Sequence, residues 1–368
     1  MNNMAFRSSR EPDGRLEAAA AILRSAVRDR RVPGAVAIVG KGQATLATWA
    51  VGQADATAGH ARAMRAGTLF DLASLTKVVG TATAALALAG GGRIGLDDTA
   101  GRYLPAVSAL RAVTIRQLLT HTAGLPDTRK FSQWCASREE LLRDLAATPL
   151  EAAPGTRVTY SDLGFMLLGQ VVSVVTGEPL EAAVGHLVTE PLGMTETGFS
   201  PPADGHDFAA TEPRPDGTAW TGVVHDENAR LMGGVAGHAG LFAPAADLAT
   251  FAAWWVSGRD SVVPARLRRA AERVQTTGLD GCRGLGWVGQ GDRFDILRGT
   301  WPPGSVSHTG FTGTSLALES ASGSWVVLLT NSVQFGRAPE RVRALRRELH
   351  AALAPGPHDQ FLAWSPSG

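Results

Sequence analysis

The segment DLASLTKVVG, residues 71–80, places one of the chain's three lysines three residues after a serine. The other two, Lys41 and Lys130, stand in polar surroundings, whereas Lys77 opens a long apolar stretch. A serine hydroxyl is a poor nucleophile at neutral pH and needs a neighbouring base. If Ser74 begins a helix, Lys77 lies on the same face one turn later, because positions i and i+3 are neighbours there. The positive end of the helix dipole and burial both disfavour a second cation. The Lys77 pKa is therefore expected to fall below its reference of about 10.4, leaving a neutral amine to take the serine proton. The same helix start aims backbone N–H groups, including that of Ser74, at a developing oxyanion.

Lysine is informative here because arginine outnumbers it about tenfold. A formal net charge of +1 over 368 residues, with no basic stripe, argues against nucleic-acid binding. The apolar, uncharged run from Val78 to Gly92 is short of the roughly 20 residues that span a bilayer and reads as a buried helix, so no membrane partner is expected. Cys135 and Cys282 are isolated, which indicates neither a disulfide framework nor a zinc cluster. The start MNNMAFRSSREPDGR has no apolar secretory core. These features together lead us to expect a cytoplasmic location.

Around the 71–80 segment, GRLEAAAAILRSAVRDRRVPG has helical spacing up to Pro33-Gly34, and GAVAIVGKGQATLATWAVG reads as a hairpin split at Gly40–Gly42. Near the other end, TSLALESASGSWVVLLTN is a second hairpin with a turn at Ala321–Gly323, followed by a helix over about Pro339–Leu353. Residues 80–235 are helix-rich. Strands at both ends with helices between predict an α+β fold in which distant segments build one sheet and a helical domain is inserted. The expected division is 14–80 with 236–354 as the α/β domain, 81–235 as an all-helical domain, and a flexible tail over 355–368. The cleft between the domains is the expected site.

Two further elements join Ser74 and Lys77. Tyr160, one of only two tyrosines, lies in TYSDLGFMLLG, where a polar turn opens a helix and a phenol can relay a proton to a leaving group. SHTGFTGTSLALE places His308-Thr309-Gly310 at the start of the second hairpin, where an edge strand can dock an extended substrate by main-chain pairing.

In this order and spacing these residues resemble the serine β-lactamase and penicillin-binding protein superfamily, with its S-x-x-K, Y-x-N and K-T-G or H-T-G signatures. GLDDTAGRYLP, TIRQLLTHTAGLP, EPLGMTETGF and GHAGLFAPAADLATF extend the resemblance, over about residues 15–350, to the class C-type branch of β-lactamases, esterases, D-aminopeptidases and D,D-peptidases. It implies a β-lactamase/transpeptidase-like fold of antiparallel sheet with flanking helices plus a helical domain. It also implies Ser74 as acylated nucleophile, Lys77 as general base and Tyr160 in proton transfer. His308, Thr309 and Gly310 would line the substrate strand, and the Phe311 N–H would complete the oxyanion hole, with no metal or cofactor.

Two positions depart from the pattern. Asp162 stands where the family has Asn, exchanging a hydrogen-bond donor for an acceptor, which disfavours β-lactams and favours a substrate N–H or amine; alternatively Asp162 caps the following helix. His308 stands where lysine is more familiar, so a substrate carboxylate is expected to bind better below about pH 6.5, the reference His value. VVHDENARLMGGVAGHAGLF, residues 223–242, concentrates His225, Asp226, Asn228 and His238 in a pattern similar to a branch linked to bacterial cell-wall recycling. These side chains either face substrate or satisfy one another; their spacing matches no zinc pattern. Trp220 is the tryptophan most expected to touch substrate, and His121 reads as structural. The leading expectation is an acyl-enzyme hydrolase of a D-amino-acid peptide or muropeptide. A carboxylic ester hydrolase, a true β-lactamase and a non-hydrolytic penicillin-recognising binding or sensor module are the alternatives.

Overall fold

The structure, a computed structural model, describes residues 14–356. Residues 1–13, read above for a leader, and the expected tail beyond residue 356 lie outside the described residues.

The first helix, α1 (Gly14–Arg28), stops five residues before Pro33-Gly34, and Arg30 adopts a left-handed φ of 55° just beyond it. Gly42, at φ 55°, turns β1 (Gly34–Lys41) into β2 (Ala44–Asp55), with β3 (Arg62–Ala63) and β4 (Phe70–Asp71) following. The apolar run after Ser74 is helical as expected, but residues Lys77–Ala82 form widened i→i+5 turns before α2 (Thr83–Gly90). Such widening is frequent at functional sites. Next come α3 (Ile115–Leu119), α4 (Arg138–Ala147), α5 (Asp162–Thr176), α6 (Leu180–Val184) and α7 (Glu190–Leu192). After β5 (Gly198–Phe199) and α8 (Glu227–Leu231), β6 (Leu241–Ala243) runs into α9 (Ala245–Val256) and α10 (Ala265–Glu272). The chain then forms β7 (Val288–Gly289), β8 (Val306–Thr309), β9 (Ser315–Glu319), β10 (Ser324–Thr330) and α11 (Pro339–Ala352).

Seven strands build an antiparallel sheet in the order β3-β2-β1-β10-β9-β8-β7, in which Ala35 of β1 faces Thr330 of β10. Side chains alternate across β1. Ala35, Ala37 and Val39 meet Leu23 of α1 and Leu345 and Leu349 of α11 on one face. Val36 and Ile38 join Leu318, Val327 and the α9 residues Leu248 and Phe251 on the other, and that core continues into Leu118, Phe165 and Leu168 of the helical region. Both faces of β1 are covered, which is why its sequence is apolar almost throughout.

A second sheet, β4-β6-β5, lies across the junction. Its strand β5 belongs to the span expected to be all helical, so that span also contributes to a sheet. The sheet positions the site: β4 ends at Asp71, three residues before Ser74, and Phe70 pairs with Ala243 and Asp71 with Phe242 of β6. No single helix among the described residues is long and apolar enough to cross a membrane.

Candidate active site

The turn that carries Ser74 is built by constraint. Ala73, immediately before Ser74, has φ 46°, a conformation costly for a residue with a Cβ. The Asp71 carboxylate accepts from the Ala73 N–H at 2.8 Å and from the His225 N–H at 2.6 Å. Thr312 Oγ1 donates to the Asp71 carbonyl at 2.7 Å, and Thr314 Oγ1 to the Leu72 carbonyl at 3.0 Å. Over-determination of this kind lets a strained turn persist. Burial raises the Asp71 pKa despite the opposing pull of those two amides.

Beyond the turn, the Lys77 N–H donates to the Ser74 carbonyl at 3.0 Å, carrying Lys77 over the serine side chain. Lys77 Nζ, completely buried, donates to Ser74 Oγ at 2.9 Å and to the His238 carbonyl at 3.1 Å, and lies 2.8 Å from Asp162 Oδ1. The expected fall in the Lys77 pKa is corrected by this third partner. Burial does pull it down, but the Asp162 carboxylate and the Tyr160 phenol together outweigh burial and hold it above its ordinary value.

Asp162 is therefore not the cap of α5. Ser161 caps it, its Oγ accepting from the Gly164 N–H at 3.1 Å, while Asp162 at the first helical position turns its carboxylate to Lys77. Tyr160 precedes this cap among rings and cations. His121 stands 4.5 Å from its ring centroid, Phe294 5.3 Å, Lys77 Nζ 5.0 Å and the Arg283 guanidinium 5.4 Å. His121 Nδ1 accepts from the Ser161 N–H at 2.9 Å, so this histidine, read as structural, holds the Tyr160 segment in place.

His308 lies in β8, paired with Leu316 of β9. β8 is not the sheet's edge as expected, because β7 flanks it; β7, however, pairs only with Val306 and Ser307. The His308 ring is buried, and its Nδ1 lies 3.0 Å from the Thr309 carbonyl, which can only accept, so Nδ1 carries the proton. Burial, then Lys77 and Arg283, hold its pKa well below 6.5. The expected switch near pH 6.5 is thus absent: His308 is neutral through the physiological range and replaces a cation with a neutral ring.

Gly310 allows the end of β8 to reach the turn that carries Ser74. A Cβ there would stand 2.1 Å from Thr314 Oγ1 and 2.4 Å from the Leu72 carbonyl. The buried Arg346 guanidinium of α11 clamps the same loop, donating to the Gly310 carbonyl at 2.6 Å and the Thr314 carbonyl at 2.7 Å. Among the described residues, the N–H groups of Ser74 and Phe311 donate to no protein group. Two unengaged donors beside a nucleophile are what an oxyanion hole requires.

The residues of the 223–242 segment divide into separate tasks. Asn228 takes none at the substrate side: its Oδ1 accepts from the Ser132 N–H at 3.1 Å and its Nδ2 donates to the Arg129 carbonyl at 2.7 Å. Asp226 caps α8 through the Ala229 N–H at 2.8 Å and lies 2.9 Å from His238 Nε2, which supports the carbonyl that receives Lys77. Trp220 is covered by the Arg214 and Arg230 guanidiniums, 4.6 and 4.5 Å from its ring centroid, and so is braced within its loop. Sequence reasoning missed Asp71, Thr312, Thr314, Arg283 and Arg346; each acts through a contact distant in sequence that no local motif announces. Among the described residues, no group of three His, Cys, Asp or Glu side chains could hold a metal ion.

The chain matches the Beta-lactamase family over residues 19–351. It is 33% identical over 304 residues, 72% of this chain and 69% of the other, to an Escherichia coli K12 protein described as "Putative D-alanyl-D-alanine carboxypeptidase". In structure it is similar to EstCE1, "a hydrolase with promiscuous acyltransferase activity", with a TM-score of 0.72 and 24% identity over 90% of this chain and 98% of that one. A β-lactamase from Mycobacterium bovis superposes with a TM-score of 0.62 and 25% identity over 89% of this chain and 96% of that one. With a serine, a buried lysine and a tyrosine gathered at one braced turn, the chain belongs to the beta-lactamase family and is a serine hydrolase.

Proposed function

We propose that this hydrolase cleaves a peptide or amide bond next to a D-amino acid, in a cell-wall peptide, through an acyl-enzyme on Ser74. The observation that carries the reading is the Lys77 ammonium joining Ser74 Oγ at 2.9 Å to Asp162 at 2.8 Å. Passing one proton from Lys77 to the Asp162 carboxylate leaves a neutral amine, and rotation about its Cε–Nζ bond turns the lone pair toward Oγ. As Oγ bonds the substrate carbonyl carbon, the serine proton passes to Lys77. As the C–N bond breaks, a proton reaches the leaving amine through Tyr160, and water then reverses the sequence to release the acid. The carboxylate of Asp162 keeps some exposure, which suits a substrate N–H or amine and not a β-lactam acylamide oxygen. The description of the E. coli relative points to the same substrate class. Two free thiols, Cys135 and Cys282, accord with a reducing bacterial cytoplasm, where such peptides would be recycled.

The test is intact mass with peptide mapping after a fluorophosphonate probe, followed by release of D-alanine from a D-alanyl-D-alanine peptide. One adduct on Ser74, none in Ser74→Ala, and D-alanine release are expected. An absent adduct in folded protein would replace the enzyme by a binding module, and an adduct with ester but no peptide turnover would replace the peptidase by an esterase.

A further inference from the structure

His225 belongs to the segment that the sequence singles out, yet it touches neither Lys77 nor Tyr160 by any hydrogen bond or ring contact. Its position is nevertheless fixed from three sides. Its backbone N–H is held at 2.6 Å by the Asp71 carboxylate, the group that also holds Ala73 beside Ser74. Its ring stacks on Phe311, with centroids 5.5 Å apart and planes inclined by 25°. Its Nε2 lies 3.3 Å from Glu212 Oε1, and Arg337 grips Glu212 through Oε2 at 3.0 Å.

Phe311 needs such support. The residue is 50% exposed, unusual for a phenylalanine whose backbone N–H has to be aimed within a few tenths of an ångström. The ring contacts that the structure gives it are the His225 stack and the Arg337 guanidinium 5.9 Å from its centroid. Arg337 is itself anchored to Glu227 at 2.5 Å as well as to Glu212. The two oxyanion donors come from distant parts of the chain, Ser74 from the nucleophile turn and Phe311 from the loop between β8 and β9. His225 connects to both, to one through Asp71 and to the other through its ring.

We propose that His225 is a positioning residue that sets the separation of the Ser74 and Phe311 N–H groups, with Glu212 and Arg337 fixing its ring. It gives no proton to the substrate and makes no contact with the reacting atoms. The proposal rests on the acyl-enzyme reading above and on the paired donors.

The test compares wild type, His225→Ala, His225→Phe and Glu212→Gln by acylation with an activated ester and by inhibition with a boronic acid that forms a tetrahedral adduct. His225→Ala is expected to lower the acylation rate about 10- to 100-fold with KM nearly unchanged, a fraction of the 10²–10³ that follows loss of a whole oxyanion donor. Boronate affinity should fall in parallel. His225→Phe keeps the stack and should recover most of the rate, and Glu212→Gln should show a smaller loss of the same kind. Wild-type acylation in His225→Ala, a change confined to KM, or a His225→Phe variant as slow as His225→Ala would overturn the role. If His225→Ala fails to fold, the Phe and Gln variants decide alone: a recovered rate in the first with a partial loss in the second supports it, and any other pair of results refutes it. Failure of the acyl-enzyme reading is seen separately, as a wild-type enzyme without a fluorophosphonate adduct on Ser74.

Discussion

Lys77 Nζ and Asp162 Oδ1 stand 2.8 Å apart, a buried ammonium beside a carboxylate that keeps some contact with solvent. The pair reverses the usual logic of a buried lysine, because the charge that burial would remove is retained by its partner. The reactivity of Ser74 is then set as much by Asp162 as by Lys77.

Asp162→Asn removes the partner and leaves burial, which lowers the Lys77 pKa. The neutral amine forms at lower pH, so the ascending limb of kcat/KM should move toward acid by at least about one pH unit. The same variant restores a donor and should be acylated faster by a penicillin. An unmoved limb in the pH–rate profile would remove the ion pair from control of the base.

Lys77→Ala takes away the amine proposed as proton acceptor while Ser74 and both N–H donors remain. Acylation should slow by at least about 10²-fold, the usual contribution of a general base. Stopped-flow acylation by an activated ester measures this directly; a rate near wild type would transfer the role to Tyr160.

Gly310→Ala drives a methyl group into Thr314 Oγ1 and the Leu72 carbonyl, at 2.1 and 2.4 Å. The backbone oxygen cannot turn aside, so the loop must move off the nucleophile turn. A stability loss of about 1–3 kcal/mol is expected, as for overpacking, with a larger proportional fall in kcat. Thermal unfolding and ester hydrolysis report the two effects.

Acid should weaken the fold through buried neutral imidazoles. His121 and His308 are held well below 6.5 and His350 at about 3, in each case chiefly by burial. Below about pH 6.5 the unfolded chain binds protons that the folded chain does not, so stability falls as pH falls. Each such histidine contributes a slope of up to about 1.4 kcal/mol per pH unit. Urea denaturation between pH 7 and 5 should show the decline, and His350→Gln should reduce its slope by about one proton.

The hairpins, the terminal helix and the three catalytic-type residues are legible in the sequence because each has a local signal. Gly42 and Gly323 mark the turns between β-rich apolar runs, Ser161 precedes a helical apolar run, and a lysine is conspicuous in an arginine-rich chain. The charge state of Lys77 is not legible, since it depends on Asp162 in another element. The neutrality of His308 depends on burial by segments far away in sequence. The tasks of Asn228 and Trp220 also escape a local reading: their partners are backbone carbonyls and guanidiniums that composition cannot place.

The central pairing of β1 with β10 has a consequence for the timing of synthesis. A ribosome that has released everything up to β7 has made Ser74, Lys77 and Tyr160, yet β1 is paired only with β2, still lacks β10 on its other edge, and one of its apolar faces still lacks α11. Contacts this distant in sequence close slowly and late. The nascent chain therefore carries Ser74, Lys77 and Tyr160 before the sheet behind them has closed, and a transcript truncated before β10 leaves β1 with an uncovered edge for chaperones and proteases to find.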